Sequence, residues 1–231
     1  MGWVDSAVAW LKDWQTLVAG VLAIGAAFIG GHFIMVQVRE ARRQDDDRLT
    51  RAYAGARASM PLALSTVSEY AIECGRVLRP LQAQAKDETI PHQEFAVPPL
   101  PVEVIIAFQR IVETAPDRNV SEVFARFLGA LQVQAARLRS MAGNLSTAAP
   151  SAVLVVAAEL EDRILDAAVI WARAAALFEF ARDKADEPPT EYKGPDRLTA
   201  LHLMGFYDYE QPRLYETANR RSNFSMLTPS L

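Results

Sequence analysis

From Trp14 to Val38 the chain carries no Asp, Glu, Lys or Arg, and this uncharged run constrains the fold more than any other feature. A helix needs about 20 predominantly apolar residues to cross the hydrocarbon of a bilayer. The central stretch LVAGVLAIGAAFIGGHFIMV, Leu17 to Val36, holds ten Leu, Ile, Val or Phe residues. Each favours insertion by about 0.3–0.6 kcal/mol near the bilayer centre, so together they contribute several kcal/mol. A lone segment in lipid must satisfy its own backbone hydrogen bonds, which predicts a helix. Trp10 and Trp14 stand just before it, where amphipathic rings favour the headgroup level. A cleaved signal peptide is the alternative, but it wants a positive n-region and a shorter apolar core. Gly2 and Ser6 fit a loose myristoylation pattern, although bulky Trp3 and the adjacent span argue for a chance match.

The flanks predict orientation. Lys12, with Asp5 and Asp13, precedes the span, whereas Arg39, Arg42, Arg43, Arg48, Arg51 and Arg57 follow it. Counting only Lys and Arg, the C-terminal side is expected in the cytoplasm and the N-terminus outside. Within the span, Ala19, Ala23, Ala27 and Gly31 recur every four residues. Small residues on one face let two helix backbones approach, so this face is a candidate for self-association. His32 is an ionisable residue within the run, yet near enough to its end to reach headgroups.

Beyond the span the pattern is helical throughout. Helix is expected to continue through an Arg-rich stretch to residue 59, with Pro61 kinking or restarting it. Met60, Leu64, Val67, Ala71, Cys74, Leu78 and Leu81 alternate at spacings of four and three, a coiled-coil-like seam. The seam can pair with other helices of this chain or with a second chain; its length favours the former. Lys86 to Pro101, with Pro91, Pro98, Pro99 and Pro101, reads as a stiff loop. A short helix is expected over Val102 to Ala115. A second, capped by Ser121, should carry the stripe Val120, Phe124, Phe127, Leu131, Leu138 and Met141 and stop at Gly143-Asn144. A long helix from Ala152 to about Ala185 should bury Val153, Ala157, Leu160, Ile164, Ala167, Trp171 and Phe178. Glu159, Asp162, Arg163, Asp166 and Arg173 lie largely off that face; the carboxylates of Glu159, Asp162 and Asp166 could do acid/base work or bind a cation, but Arg163 beside them favours a solvated ion-pair surface. One short helix follows Gly194-Pro195. Phe206, Tyr207, Tyr209 and Tyr215 should dock back on the body.

The expected fold is therefore all-α: an N-terminal transmembrane helix followed by a cytoplasmic bundle of about four main helices. The segments are 1–14 external or interfacial, 15–38 spanning, 39–59 juxtamembrane, 60–187 the bundle and 188–231 a tail. The chemistry that can be excluded is broad. Net charge is −4, which gives no general basic surface for nucleic acid. His32, His92 and His202 are scattered, and Cys74 is the only cysteine, so neither a metal site nor an internal disulfide is expected. No phosphate loop, nucleophile elbow or HExxH motif occurs, and neither an enzyme nor a cofactor is expected.

The stretches DWQTLVAGVLAIGAAFIGG, QVREARRQ and ASMPLALSTVSEYAIECGRVL resemble a group of proteobacterial inner-membrane proteins of unknown activity. That group shares a WQTLxAG-type start to the span, an Arg-rich exit and a PLALSxxSEYA-like helix. The likeness covers roughly the first third of the chain. It implies a single-pass inner-membrane protein with a helical cytoplasmic part, and no functional residues carry over. The functional expectation is a membrane-anchored interaction or scaffold module. Its partners are the lipid bilayer and either a second copy or another protein. The rival expectations are a membrane-acting effector, such as the toxic or pore-forming arm of a stress or phage-defence system, and an enzyme whose site carries none of the known motifs.

Overall fold

The computed structural model of the 231-residue chain describes residues 2–85, 89–147 and 155–220, with backbone alone at residues 2–9, 11, 13 and 16. Among the described residues there are six helices: α1 Gly2–Gln84, α2 Val102–Thr114, α3 Arg118–Leu145, α4 Ala157–Ala181, α5 Gly194–Leu203 and α6 Pro212–Arg220. No strand is present among them; the nearest thing is an isolated antiparallel bridge between Thr89 and Val156. The all-helical class read from the sequence holds. The chain divides into two compact units, Met1–Arg51 and Ala52–Leu231.

The first unit is helix alone, part of α1. Helix α1 neither ends nor restarts at Pro61, and it also contains Pro80. The second unit begins at Ala52 rather than Met60, because Ala56 is already buried and Tyr53 packs against the same core. Its helices are joined through one apolar cluster, with α2 on α3, α3 on α4, α4 on α5 and α5 beside α6. Three aromatic rings fix the centre. Phe108 of α2 lies 5.3 Å from both Phe124 and Phe127 of α3, edge-on to the first. Phe124 in turn faces Phe180 of α4 at 6.3 Å. Gly75 of α1 makes room for Met204 at the end of α5, since a Cβ there would lie 2.3 Å from the Met204 sulfur.

Helix ends depart from expectation for local reasons. The residue before Pro116 is held extended (Ala115 φ −61, ψ 127), and α2 stops at Thr114. Asp117, not Ser121, caps α3, accepting from the Asn119 N–H at 2.9 Å. The Ser121 hydroxyl instead donates to the Val112 carbonyl at 3.1 Å. Helix α3 continues through Gly143 and Asn144 to Leu145, whose side chain is buried; burial outweighs the weak stop signals. Helix α4 begins at Ala157, because Val156 is extended (φ −94, ψ 152) and the Val155 carbonyl accepts from the Ile90 N–H at 3.0 Å. The expected opening at Pro150 and Ser151, and Val153, lie outside the described residues.

Two helix C-termini close by the same device, in which two turned-back N–H groups satisfy the last carbonyls. In α5, Phe206 N–H donates to Leu201 and Gly205 N–H to His202. Gly205 has φ +88, a left-handed conformation that suits glycine. In α4, Lys184 N–H donates to Glu179 and Asp183 N–H to Phe180, with Asp183 at φ 56. An Asp in that conformation is uncommon. Arg57 supports it: its guanidinium donates to the Phe180 and Ala185 carbonyls at 2.9 Å, meets the Asp183 carboxylate at 2.8 Å and lies over the Phe180 ring. Thus α4 ends at Ala181 rather than near Ala185. Arg57 serves as a helix cap in the body, not simply as a topology-setting flank.

The tail is not a separate segment. Helix α6 joins α5, and Leu201, Phe206, Leu214 and Ala218 are buried in the common core. Tyr215 donates its hydroxyl to the Phe206 carbonyl at 2.9 Å, while Tyr209 stacks on Tyr207 and stays exposed. Residues from 221 onward lie outside the described residues.

Candidate functional site

The first unit shows an apolar helix with its side chains outward. Leu17, Val21, Leu22, Ile24, Phe28, Ile29, Phe33 and Ile34 are each more than 60% exposed. One helix near the N-terminus is long and apolar enough to cross a membrane. Val36 is exposed as well. Trp10 and Trp14 lie against one another at 5.6 Å, one helical turn apart. Ala19, Ala23, Ala27 and Gly31 are all exposed along one i, i+4 ridge. A Cβ added at Gly31 would meet nothing within 4 Å. The ridge is therefore bare and shallow. His32 is also exposed.

Arg39, Arg42 and Arg43 follow on the same helix, all exposed. Asp45, Asp46 and Asp47 come next, then Arg48 and Arg51. Among the described residues, no ion pair joins these arginines to these aspartates.

The second candidate association face has a different fate. Met60, Leu64, Val67, Ala71, Cys74, Leu78 and Leu81 are each no more than 1% exposed within this single chain. Their neighbours are the chain's own later helices, all in one core cluster. The seam is therefore occupied and is not a surface offered to a second chain. Cys74 sits there beside Tyr70 and Gln134. Burial pushes its thiol up to about 11, against the opposing interactions with Tyr70 and Gln134. At mildly alkaline pH the thiolate fraction is about a hundredfold below that of an ordinary cysteine. The folded protein is expected to ignore Ellman's reagent and to release one equivalent of colour after unfolding in guanidinium. Prompt labelling of the folded protein would show the seam to be open.

The charges on α4 are not a solvated face. Asp166 meets Arg163 at 2.9 Å and Arg137 of α3 at 3.1 Å, and its side chain is only 12% exposed. Glu161 is buried near Arg213. Arg173 is buried and approaches the Tyr192 ring, and Arg197 is buried with a hydrogen bond to the Ala218 carbonyl. Helix α4 contacts both α3 and α5, so its charged flank is enclosed as well as its apolar one. Around Asp166, burial outweighs the two arginines and raises the carboxyl above its ordinary value. The unfolded chain lacks that burial, so between the ordinary and the raised value the folded state binds the extra proton. Stability should therefore fall as pH rises through that interval, from full strength below it. Thermal melts of wild type and Asp166→Asn at pH values spanning the ordinary and the raised value should show a difference that changes there and is constant above. A pH-independent difference would mean that folding does not shift the Asp166 carboxyl.

Catalytic ingredients are sparse. His92 and His202 are exposed and far apart in sequence, with His202 edge-on to Tyr207 at 4.7 Å. Among the described residues, no group of three His, Cys, Asp or Glu side chains could hold a metal. Glu69, Glu73 and Arg76 line an open groove with Pro98, Pro99 and Pro101, a stiff wall against α1 that encloses nothing. The apolar helix with its arginine exit is thus the feature with the clearest functional content. In comparisons with known proteins, no family model, no curated protein and no solved structure matches the chain.

Proposed function

We propose that this protein is a membrane-anchored helical interaction module. Residues 15–38 cross the bacterial inner membrane once, the N-terminus lies outside, and the body from Ala52 onward lies in the cytoplasm. The observation that carries the reading is the unbroken exposure of large apolar side chains from Leu17 to Val38 on a helix of the first unit. An apolar surface of that extent needs lipid or a partner to cover it, and its length suits a bilayer. The arginines after the span supply the orientation, and removing Arg57 from that count leaves five. The resemblance of the first third to inner-membrane proteins agrees with the same location. A pore-forming role is less well supported, because the span offers little polar lining beyond His32.

With the Met60–Leu81 seam already filled, self-association falls to the Ala19, Ala23, Ala27 and Gly31 ridge. Close helix approach through small residues is the means by which spans associate in lipid. Light scattering of the detergent-solubilised protein should give a dimer or larger. Ala27→Leu with Gly31→Leu should shift it to monomer. A wild-type protein that is strictly monomeric at all concentrations would defeat the association part and leave the anchor standing.

A further inference from the structure

We infer that Arg39, Arg42 and Arg43 form a binding surface for the phosphate groups of anionic lipids. The inference rests on the proposed span and names the chemistry at its inner edge. In the helix these residues fall at i, i+3 and i+4, within an arc of about 100°. All three are exposed. None has an ion-pair partner among the described residues, although Arg42–Asp46 and Arg43–Asp47 have i, i+4 spacing. That order, base before acid, is the weaker orientation for such a pair on a helix.

Side-chain direction explains what the guanidinium groups meet instead. Helical side chains lean toward the N-terminus of their helix, here back toward Val38 and the apolar run. Long arginine side chains extend that lean to the headgroup layer. A planar guanidinium pairs with a phosphate through two parallel hydrogen bonds. The aspartates follow rather than interleave. Asp45, Asp46 and Asp47 begin about 3 Å beyond Arg43 and about 9 Å beyond Arg39 along the axis, the latter roughly a Debye length at physiological salt. An anionic surface at the end of the apolar run therefore attracts the arginines, Arg39 most of all, more strongly than it repels the aspartates, which stand farther from it. Glu40 is the one acidic residue within the basic turn.

The full-length protein, reconstituted in phosphatidylcholine vesicles with trace spin-labelled phosphatidylglycerol or spin-labelled phosphatidylcholine, gives the test. The motionally restricted fraction of each label is read by electron paramagnetic resonance. The wild type should favour phosphatidylglycerol by about fivefold or more, the effect of a single basic residue near a charged surface. The preference should disappear in R39Q/R42Q/R43Q, persist in R39K/R42K/R43K and fade as sodium chloride is raised. Equal restriction of the two lipids by the wild type would overturn the inference, as would a preference retained in the glutamine variant. Should that variant fail to insert, the salt titration of the wild type decides, a salt-independent preference counting against the inference. Inorganic phosphate that erases the preference, where chloride at equal ionic strength does not, would assign the site to free phosphate and also overturn it. If neither label is restricted, the span itself is absent, a failure distinct from loss of lipid selectivity.

Discussion

Replacing Phe108 with alanine is expected to destabilise the second unit by about 3–5 kcal/mol, the usual cost of removing a buried aromatic side chain. The ring is fully buried, and its removal leaves Phe124 and Phe127 facing a void where each had a ring at 5.3 Å. Those contacts join α2 to α3, and Phe124 continues them to Phe180 of α4. Collapse into the void is hindered because three helices would have to shift together. For a domain of this size each kcal/mol moves the melting midpoint by about 2–4 °C, so a loss of about 10 °C should be seen in detergent by circular dichroism. Phe108→Leu keeps most of the volume and should cost less than half as much. A Phe108→Ala variant that melts within a degree or two of wild type would mean the three rings do not form the centre of the core.

The second large effect lies in the other unit. Arginine at the centre of a span costs about 2.5–3.5 kcal/mol on the insertion scale. Ala26 and Ala27 sit at the middle of the uncharged run. Ala26→Arg with Ala27→Arg therefore opposes insertion by about 5–7 kcal/mol, against about 3–6 kcal/mol from the ten large apolar residues. The double variant should leave the membrane fraction almost completely, appearing as soluble, aggregated or degraded protein. The same pair of arginines at Ala41 and Gln44, outside the apolar run and exposed, should leave the fraction unchanged. Equal membrane retention of the two double variants would remove the basis for a span at 15–38.

The parts of the fold that announce themselves in the sequence are those with one apolar stripe and one set of neighbours. In α3, Val120, Phe124, Phe127, Leu131, Leu138 and Met141 repeat at helical spacing, and all are buried, as is Gln134 among them. The Met60–Leu81 spacing likewise marks a buried line, but spacing cannot tell whose helices bury it. Only the position of the later helices shows that the chain fills its own seam. Helix α4 is less legible. Lying against both α3 and α5, it buries Glu161 and Arg173 along with Leu160 and Ile164, and a one-faced periodicity places such charges in water. Arg57 and Val155 carry no local signal, because their partners, Phe180 and Ile90, are distant in the chain. Gly143 and Asn144 resemble stops but yield to the burial of Leu145.

Of the candidate site, the apolar run and the arginines that follow it are legible because length, hydropathy and charge are read directly from the residues. The failure of the nearby aspartates to pair with those arginines is legible in part: the unfavourable base-before-acid order stands in the sequence, whereas the absence of ion pairs itself is seen only in the structure. Arg57 shows the converse. It looks like one more flanking base, yet it closes the end of α4.

Alkaline carbonate extraction of membranes from cells producing the full chain tests the anchor most directly. The protein should remain in the membrane pellet and leave it only with detergent. Intact protein released into the carbonate supernatant would contradict a helix crossing the lipid at Leu17–Val36.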